Sequence, residues 1–112
     1  DSRQAVTLGA INTDYHPHRA RAGDPKVSPR QRVEGFAEVH LPLHTATVLD
    51  ESERCFSCGH CTFCNNCFFY CPDMAVVRRS DGYSVLTDYC KGCGLCVQEC
   101  PTGAVCMRED VR

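Results

Sequence analysis

The spacing of the cysteines constrains this chain more than any other feature. Cys90, Cys93, Cys96 and Cys100, followed by Pro101, read C-x2-C-x2-C-x3-C-P. Cys61, Cys64, Cys67 and Cys71, followed by Pro72, read the same. Thiols at two-residue gaps let a tight loop surround one corner of a cubane. Two such runs are the pattern of a protein holding two 4Fe-4S clusters. Electron transfer is therefore the leading expectation.

The two runs belong to an internal repeat. Residues 61–79 and 90–108 align at a constant offset of 29, pairing Ala75 with Ala104, Val76 with Val105 and Arg79 with Arg108, besides the cysteines and prolines. Repetition makes two similar sites. The loops are not identical. Gly92 and Gly94 allow close approach and unusual dihedrals. The first half carries Phe63 and Asn65 at those places. A bulkier loop solvates its cluster differently, so the two potentials are expected to differ.

Length and composition set bounds. A chain of 112 residues has room for one small domain plus an appendage, and its core profits from a metal staple. Eleven cysteines fit a disulfide scaffold or a metal protein, and the odd number rules out complete pairing. With no visible signal peptide or transmembrane run, the expected location is a reducing compartment, the cytoplasm. Formal net charge is −2. The first fifty residues balance six Lys/Arg against six Asp/Glu, and the remainder carries six against eight. Thiolate-ligated clusters would make the second part more acidic, so it should favour basic docking surfaces and repel nucleic acid.

The expected fold class is α+β, with an extended arm over residues 1–50 that carries short helices and binds a partner, then a cluster domain over residues 51–112. Residues 1–27 show little periodicity and cannot bury enough apolar area to fold alone. Ser28, Pro29 and Gln31 supply an N-cap, an N1 proline and an N3 glutamine for a helix reaching about Phe36, anchored by Val33 and Phe36. A second start at Thr45 or Thr47 leads to a helix ending near Arg54, anchored by Val48 and Leu49. Residues 76–79 and 83–89 read as a hairpin turning at Asp81-Gly82. The alternating Tyr83, Val85, Thr87 and Tyr89 should cover the clusters together with Val76 and Val105.

Residues 55–106 resemble the bacterial-type two-cluster ferredoxin domain. The resemblance implies a pseudo-twofold fold in which the fourth cysteine of each run serves the other cluster. Carried over, one cluster takes Cys61, Cys64, Cys67 and Cys100, and the other takes Cys90, Cys93, Cys96 and Cys71. The stretch from Arg54 through Cys55-Phe56-Ser57-Cys58-Gly59-His60-Cys61 to Val76 also resembles the ferredoxin extension of oxidoreductases related to the glutamate synthase small subunit, including DsrL-like proteins. It is similar too to delta-type subunits of 2-oxoacid oxidoreductases. That likeness implies a hetero-oligomer whose other parts hold FAD and NAD(P)H, or thiamine diphosphate. The chain itself has no G-x-G-x-x-G, and no catalytic residue is assigned to it.

Other readings exist for the same residues. Cys55, Cys58, Cys61 and Cys64 offer a second four-thiol register, without the three-residue gap or the proline. Cys55 and Cys58 could bind zinc with His44, His60 or a partner residue, and a structural zinc module is the rival class. A free soluble ferredoxin is a third reading, disfavoured by the long arm. Cys106 is expected in a small apolar slot. His16, His18 and His44 are expected to make surface or interface hydrogen bonds. His60 is a possible ligand or support to one. Asp73, Asp88, Glu99 and Tyr89 are expected to be solvated or supporting groups rather than acid–base pairs.

Overall fold

The computed structural model describes residues 5–109. In chain order its regular elements are α1 (Pro29–Arg32), α2 (Thr45–Ser52), α3 (Asn66–Phe69), β1 (Val76–Arg79), β2 (Gly82–Val85) and α4 (Leu95–Gln98). Single 3-10 turns occupy Leu8–Ala10 and Thr13–Tyr15. The described chain falls into two units, residues 18–55 and residues 5–17 together with 56–109. This division differs from the single arm expected up to residue 50. The physical reason lies in Ile11, which is buried, and in Asn12, whose backbone N–H donates to the Cys100 carbonyl at 3.2 Å.

The cysteine-rich unit repeats its backbone conformation at the offset of 29. Adding 29 to α3 gives α4. Each helix starts from a left-handed N-cap, Asn65 at φ 67° and Gly94 at φ 76°. Phe63 and Met74 also lie in the left-handed region, at φ 56° and 51°, matching Gly92 and Gly103 at 73° and 64°. A side chain there costs roughly 1–2 kcal/mol. The first half therefore keeps a loop shape that its own residue types disfavour, which points to a constraint imposed from inside the loop.

β1 and β2 pair antiparallel, from Val76 opposite Val85 to Arg79 opposite Gly82. The two linking residues are thus Ser80 and Asp81, one position earlier than the expected Asp81-Gly82 turn. The second strand also stops at Val85 rather than Tyr89. Leu86 donates to the Ala75 carbonyl at 2.7 Å, and a turn through Tyr89 then delivers the chain to Cys90. That turn leaves Thr87 and Tyr89 exposed, so they do not cover the cysteine loops as the alternation suggested. Val85 does face them, and half-buried Tyr83 donates from its hydroxyl to Asn65 Oδ1 at 2.7 Å.

The apolar core of this unit is very small. Among the described residues, its buried hydrophobic side chains are Ile11, Ala75 at 1% exposure, Val76 at 3% and Cys100 at 8%. Ordering each residue's backbone costs about 1–2 kcal/mol. Four such side chains cannot offset that cost over a unit of this length. Thiols line a cavity of this unit, and bonds from them to a metal centre would add stabilisation.

In residues 18–55, Val27 donates to the Val39 carbonyl at 3.0 Å and Leu41 to the Pro25 carbonyl at 2.8 Å, flanking a bridge between Lys26 and His40. Asp24 accepts from His40 at 3.0 Å and pairs with Lys26 at 3.1 Å, and these two contacts hold its carboxyl below the usual range. Ser28 and Gln31 form the expected capping box of α1. The helix ends at Arg32 all the same. One closed turn barely exceeds the nucleation cost, and β-branched Val33 and then Gly35 do not favour extension. Val33 and Phe36 are exposed rather than anchoring, and so are Val48 and Leu49 of α2. His44 is the N-cap of α2. No described residue of this unit is buried.

Removing iron with a chelator should therefore melt residues 56–109. Iron release and loss of the circular dichroism signal are expected to coincide along the same titration, and retention of native ellipticity in the iron-free chain would contradict the metal-dependent core.

Candidate metal centre

The structure brings together thiols that are distant in sequence. Cys71 lies with Cys90, Cys93 and Cys96 around one cavity, whose wall also includes Val76, Val85 and Met107. Around the other centre, burial and then the charges of Cys64, Cys61, Cys100 and Cys96 push the Cys67 thiol above its ordinary value. Burial and then Cys90 and Cys93 do the same to Cys96. Each loop thus gathers thiols that repel one another once ionised. A cationic centre turns that repulsion into attraction, because coordinating thiols are deprotonated outright.

Backbone donors are aimed at the sulfurs. Ala75 N–H donates to Cys71 Sγ at 3.2 Å, and Ala104 N–H to Cys100 Sγ at 3.3 Å. These are the same bond at the repeat offset of 29. Gly92 N–H points at Cys90 Sγ at 3.4 Å. The hydroxyl of Thr102, 2% exposed, lies 3.6 Å from Cys100 Sγ. Burial pushes the Cys100 thiol up, but the donors of Thr102, Ala104 and Val105 outweigh it and bring the thiol below its ordinary value. Hydrogen bonds to sulfur stabilise negative charge there and so raise a cluster's potential. The donor set, all thiols supported by N–H and O–H groups, fits iron–sulfur chemistry.

No three His, Cys, Asp or Glu side chains among the described residues converge on a single metal ion. A cubane spreads its four thiolates over separate corners, whereas one tetrahedral ion draws four donors to a point. Cys106 is exposed rather than in an apolar slot, and Cys55 and Cys58 are exposed as well. His60 is exposed, with its backbone N–H bonded to the Ser57 carbonyl at 2.9 Å. Asp73 pairs with Lys91 at 3.1 Å, which raises the lysine's pKa. Glu99 accepts from the Tyr15 hydroxyl. Tyr89 is exposed.

Several supporting residues escaped the sequence reading. Thr102 carries no signal of its own. Ala75 and Ala104 did carry one, since the repeat preserves a small residue at the position whose N–H must reach sulfur. Asn12, Tyr15 and His16 reach residues 98–101 from more than eighty positions away, and no local pattern can show that.

Residues 60–105 match the family model of the 4Fe-4S dicluster domain. Pyruvate synthase subunit PorD of Methanocaldococcus jannaschii is 41% identical over 52 residues, which is 45% of this chain and 60% of that protein. Its counterpart from Thermotoga maritima is 43% identical over 53 residues, covering 45% and 52%. An iron-sulfur protein of Rhodospirillum rubrum is 34% identical over 74 residues, covering 63% and 38%. The chain thus spans little more than half the length of these pyruvate synthase subunits. No solved structure matches. The matched segment is an iron–sulfur domain of ferredoxin type that binds two 4Fe-4S clusters, with a small α+β fold. No helix among the described residues is long and apolar enough to cross a membrane.

Replacing Thr102 with Val keeps the shape and removes the hydroxyl beside Cys100. The potential of one cluster should fall by about 40 mV, equivalent to roughly 1 kcal/mol for one electron. Electron paramagnetic resonance during a redox titration measures it, and two unshifted potentials would show that the hydroxyl does not act on a cluster.

Proposed function

We propose that this chain is the electron-transfer component of an oxidoreductase complex and has no bond-making chemistry of its own. The clusters would pass single electrons between a flavoprotein that handles NAD(P)H and a catalytic partner, a 2-oxoacid oxidoreductase. FAD, and thiamine diphosphate on the other side, belong to those partner subunits. The likeness to PorD, named as a pyruvate synthase subunit, supports the second partner. The string from Arg54 to Val76 supports a DsrL-like flavoprotein for the first. The location is the cytoplasm, with no nucleic acid among the partners.

One cluster is assigned to Cys61, Cys64, Cys67 and Cys100, and the other to Cys90, Cys93, Cys96 and Cys71. The observation that supports this assignment is the cavity that Cys71 lines together with the second-run thiols Cys90, Cys93 and Cys96. The matched helices and left-handed residues support a pseudo-twofold arrangement. Within it the chain ligates, spaces and shields the clusters and sets their potentials through the N–H and O–H donors at sulfur. Residues 18–55, with exposed Val33, Phe36, Leu41, Leu43, Val48 and Leu49 and no buried side chain, are the segment for seating on a partner subunit.

Two experiments test the reading. In Cys100→Ala, the cluster of residues 61–67 should be damaged first, and in Cys71→Ala the cluster of residues 90–96. Resonance spectra of the reduced variants decide it, and damage confined to each cysteine's own run would overturn the crossed assignment. In the natively purified complex, NAD(P)H or a 2-oxoacid with its acceptor should bleach the cluster absorbance within the turnover time. Failure of both to reduce the clusters would overturn the relay.

A further inference from the structure

The five consecutive carbonyls from Gln98 to Thr102 each accept a hydrogen bond from a residue distant in sequence. Asn12 Nδ2 donates to Gln98 at 2.9 Å, Asn66 Nδ2 to Glu99 at 3.0 Å and Asn12 N–H to Cys100 at 3.2 Å. His16 Nε2–H donates to Pro101 at 2.8 Å, and Gly59 N–H to Thr102 at 2.7 Å. Three of these five bonds come from Asn12 and His16. Between them Tyr15 donates to the Glu99 carboxylate, and the His16 ring lies 4.3 Å from that of Phe56.

The segment before Asn12 seats just as closely. A Cβ on Gly103 would stand 2.8 Å from the Ala10 carbonyl oxygen and 2.8 Å from a Val6 methyl. A Cβ on Gly59 would stand 2.8 Å from the other Val6 methyl. Gly103 is therefore glycine for want of room, not for its dihedral alone. Its repeat partner Met74 shows this: at φ 51° it carries a full side chain, 84% exposed. So the turn after Cys100 is covered by residues 6–16, and the equivalent turn after Cys71 presents Met74 to solvent. Cys100 is buried, and Cys71 is only half-buried.

We propose that residues 6–16 are a strap that positions the Cys100 turn and seals it from water, so that the two clusters are unequal in solvent access. Asn12, Tyr15 and His16 are positioning residues that act through the backbone on either side of Cys100. The proposal rests on the cluster assignment above. The strap excludes water from the cluster served by Cys100 and so lowers its potential, because water dipoles stabilise the more negative reduced state. The cluster served by Cys71 stays open to small reagents.

The test uses the full chain, loaded with iron and sulfide under anaerobic conditions and followed by nuclear magnetic resonance of the hyperfine-shifted cysteine β-protons. These signals report each cluster separately. In the native chain, ferricyanide should destroy the Cys71-served cluster first. In Asn12→Ala combined with Tyr15→Phe, both clusters should decay at similar rates. At a fixed poise the reduced-to-oxidised ratio of the Cys100-served cluster should rise about tenfold, equivalent to about 59 mV for one electron, with the other unmoved. Gly103→Met should do the same by displacing the strap, since Met74 already tolerates that backbone. Failure of that variant to load would leave the hydrogen-bond variants to decide. Equal decay in the native chain, unmoved ratios in the variants, or equal shifts of both clusters would overturn the strap. Absence of two sets of shifted cysteine signals in the native chain would instead overturn the cluster reading beneath it.

Discussion

The constraint on which this structure depends is the meeting of thiols from two separate runs. Cys71, from the first run, lines one cavity with Cys90, Cys93 and Cys96 of the second. That meeting ties one half of the repeat to the other. The small apolar core, the left-handed Phe63 and Met74, and the N–H groups of Ala75 and Ala104 all follow from closing loops around sulfur. Without a metal centre these features oppose folding, through charge repulsion, strain and too little burial. With one they become mutually consistent, which is the behaviour of closed metal sites.

The repeat gives two halves a common design, and the rest of the chain makes them differ. Glycines line the second loop, where the first has Phe63, Asn65 and Met74. Residues 6–16 then add backbone bonds around Cys100. Two clusters in unlike surroundings should hold unlike potentials.

Much of this was legible in the sequence because it is local. The cysteine gaps, the proline after each run, the capping box at Ser28 and the hairpin at residues 76–85 all depend on neighbours along the chain. The misses share a different cause. Val33, Phe36, Val48 and Leu49 read as anchors because apolar periodicity implies a surface to pack on, yet residues 18–55 supply none. The strand ending at Val85 was overestimated because alternation runs on through Tyr89, while the chain has to turn to reach Cys90. Residues 5–17 read as a featureless arm because their order comes from carbonyls more than eighty positions away. Periodicity has no access to such contacts.

Two iron–sulfur cubanes are the centres around which the loops of this small domain close. Iron and acid-labile sulfide analysis of the anaerobically purified native chain tests this most directly. About eight iron and about eight sulfide per chain, two cubanes' worth, are the expected result. Zinc without sulfide, or about four iron and four sulfide in fully folded protein, would contradict it.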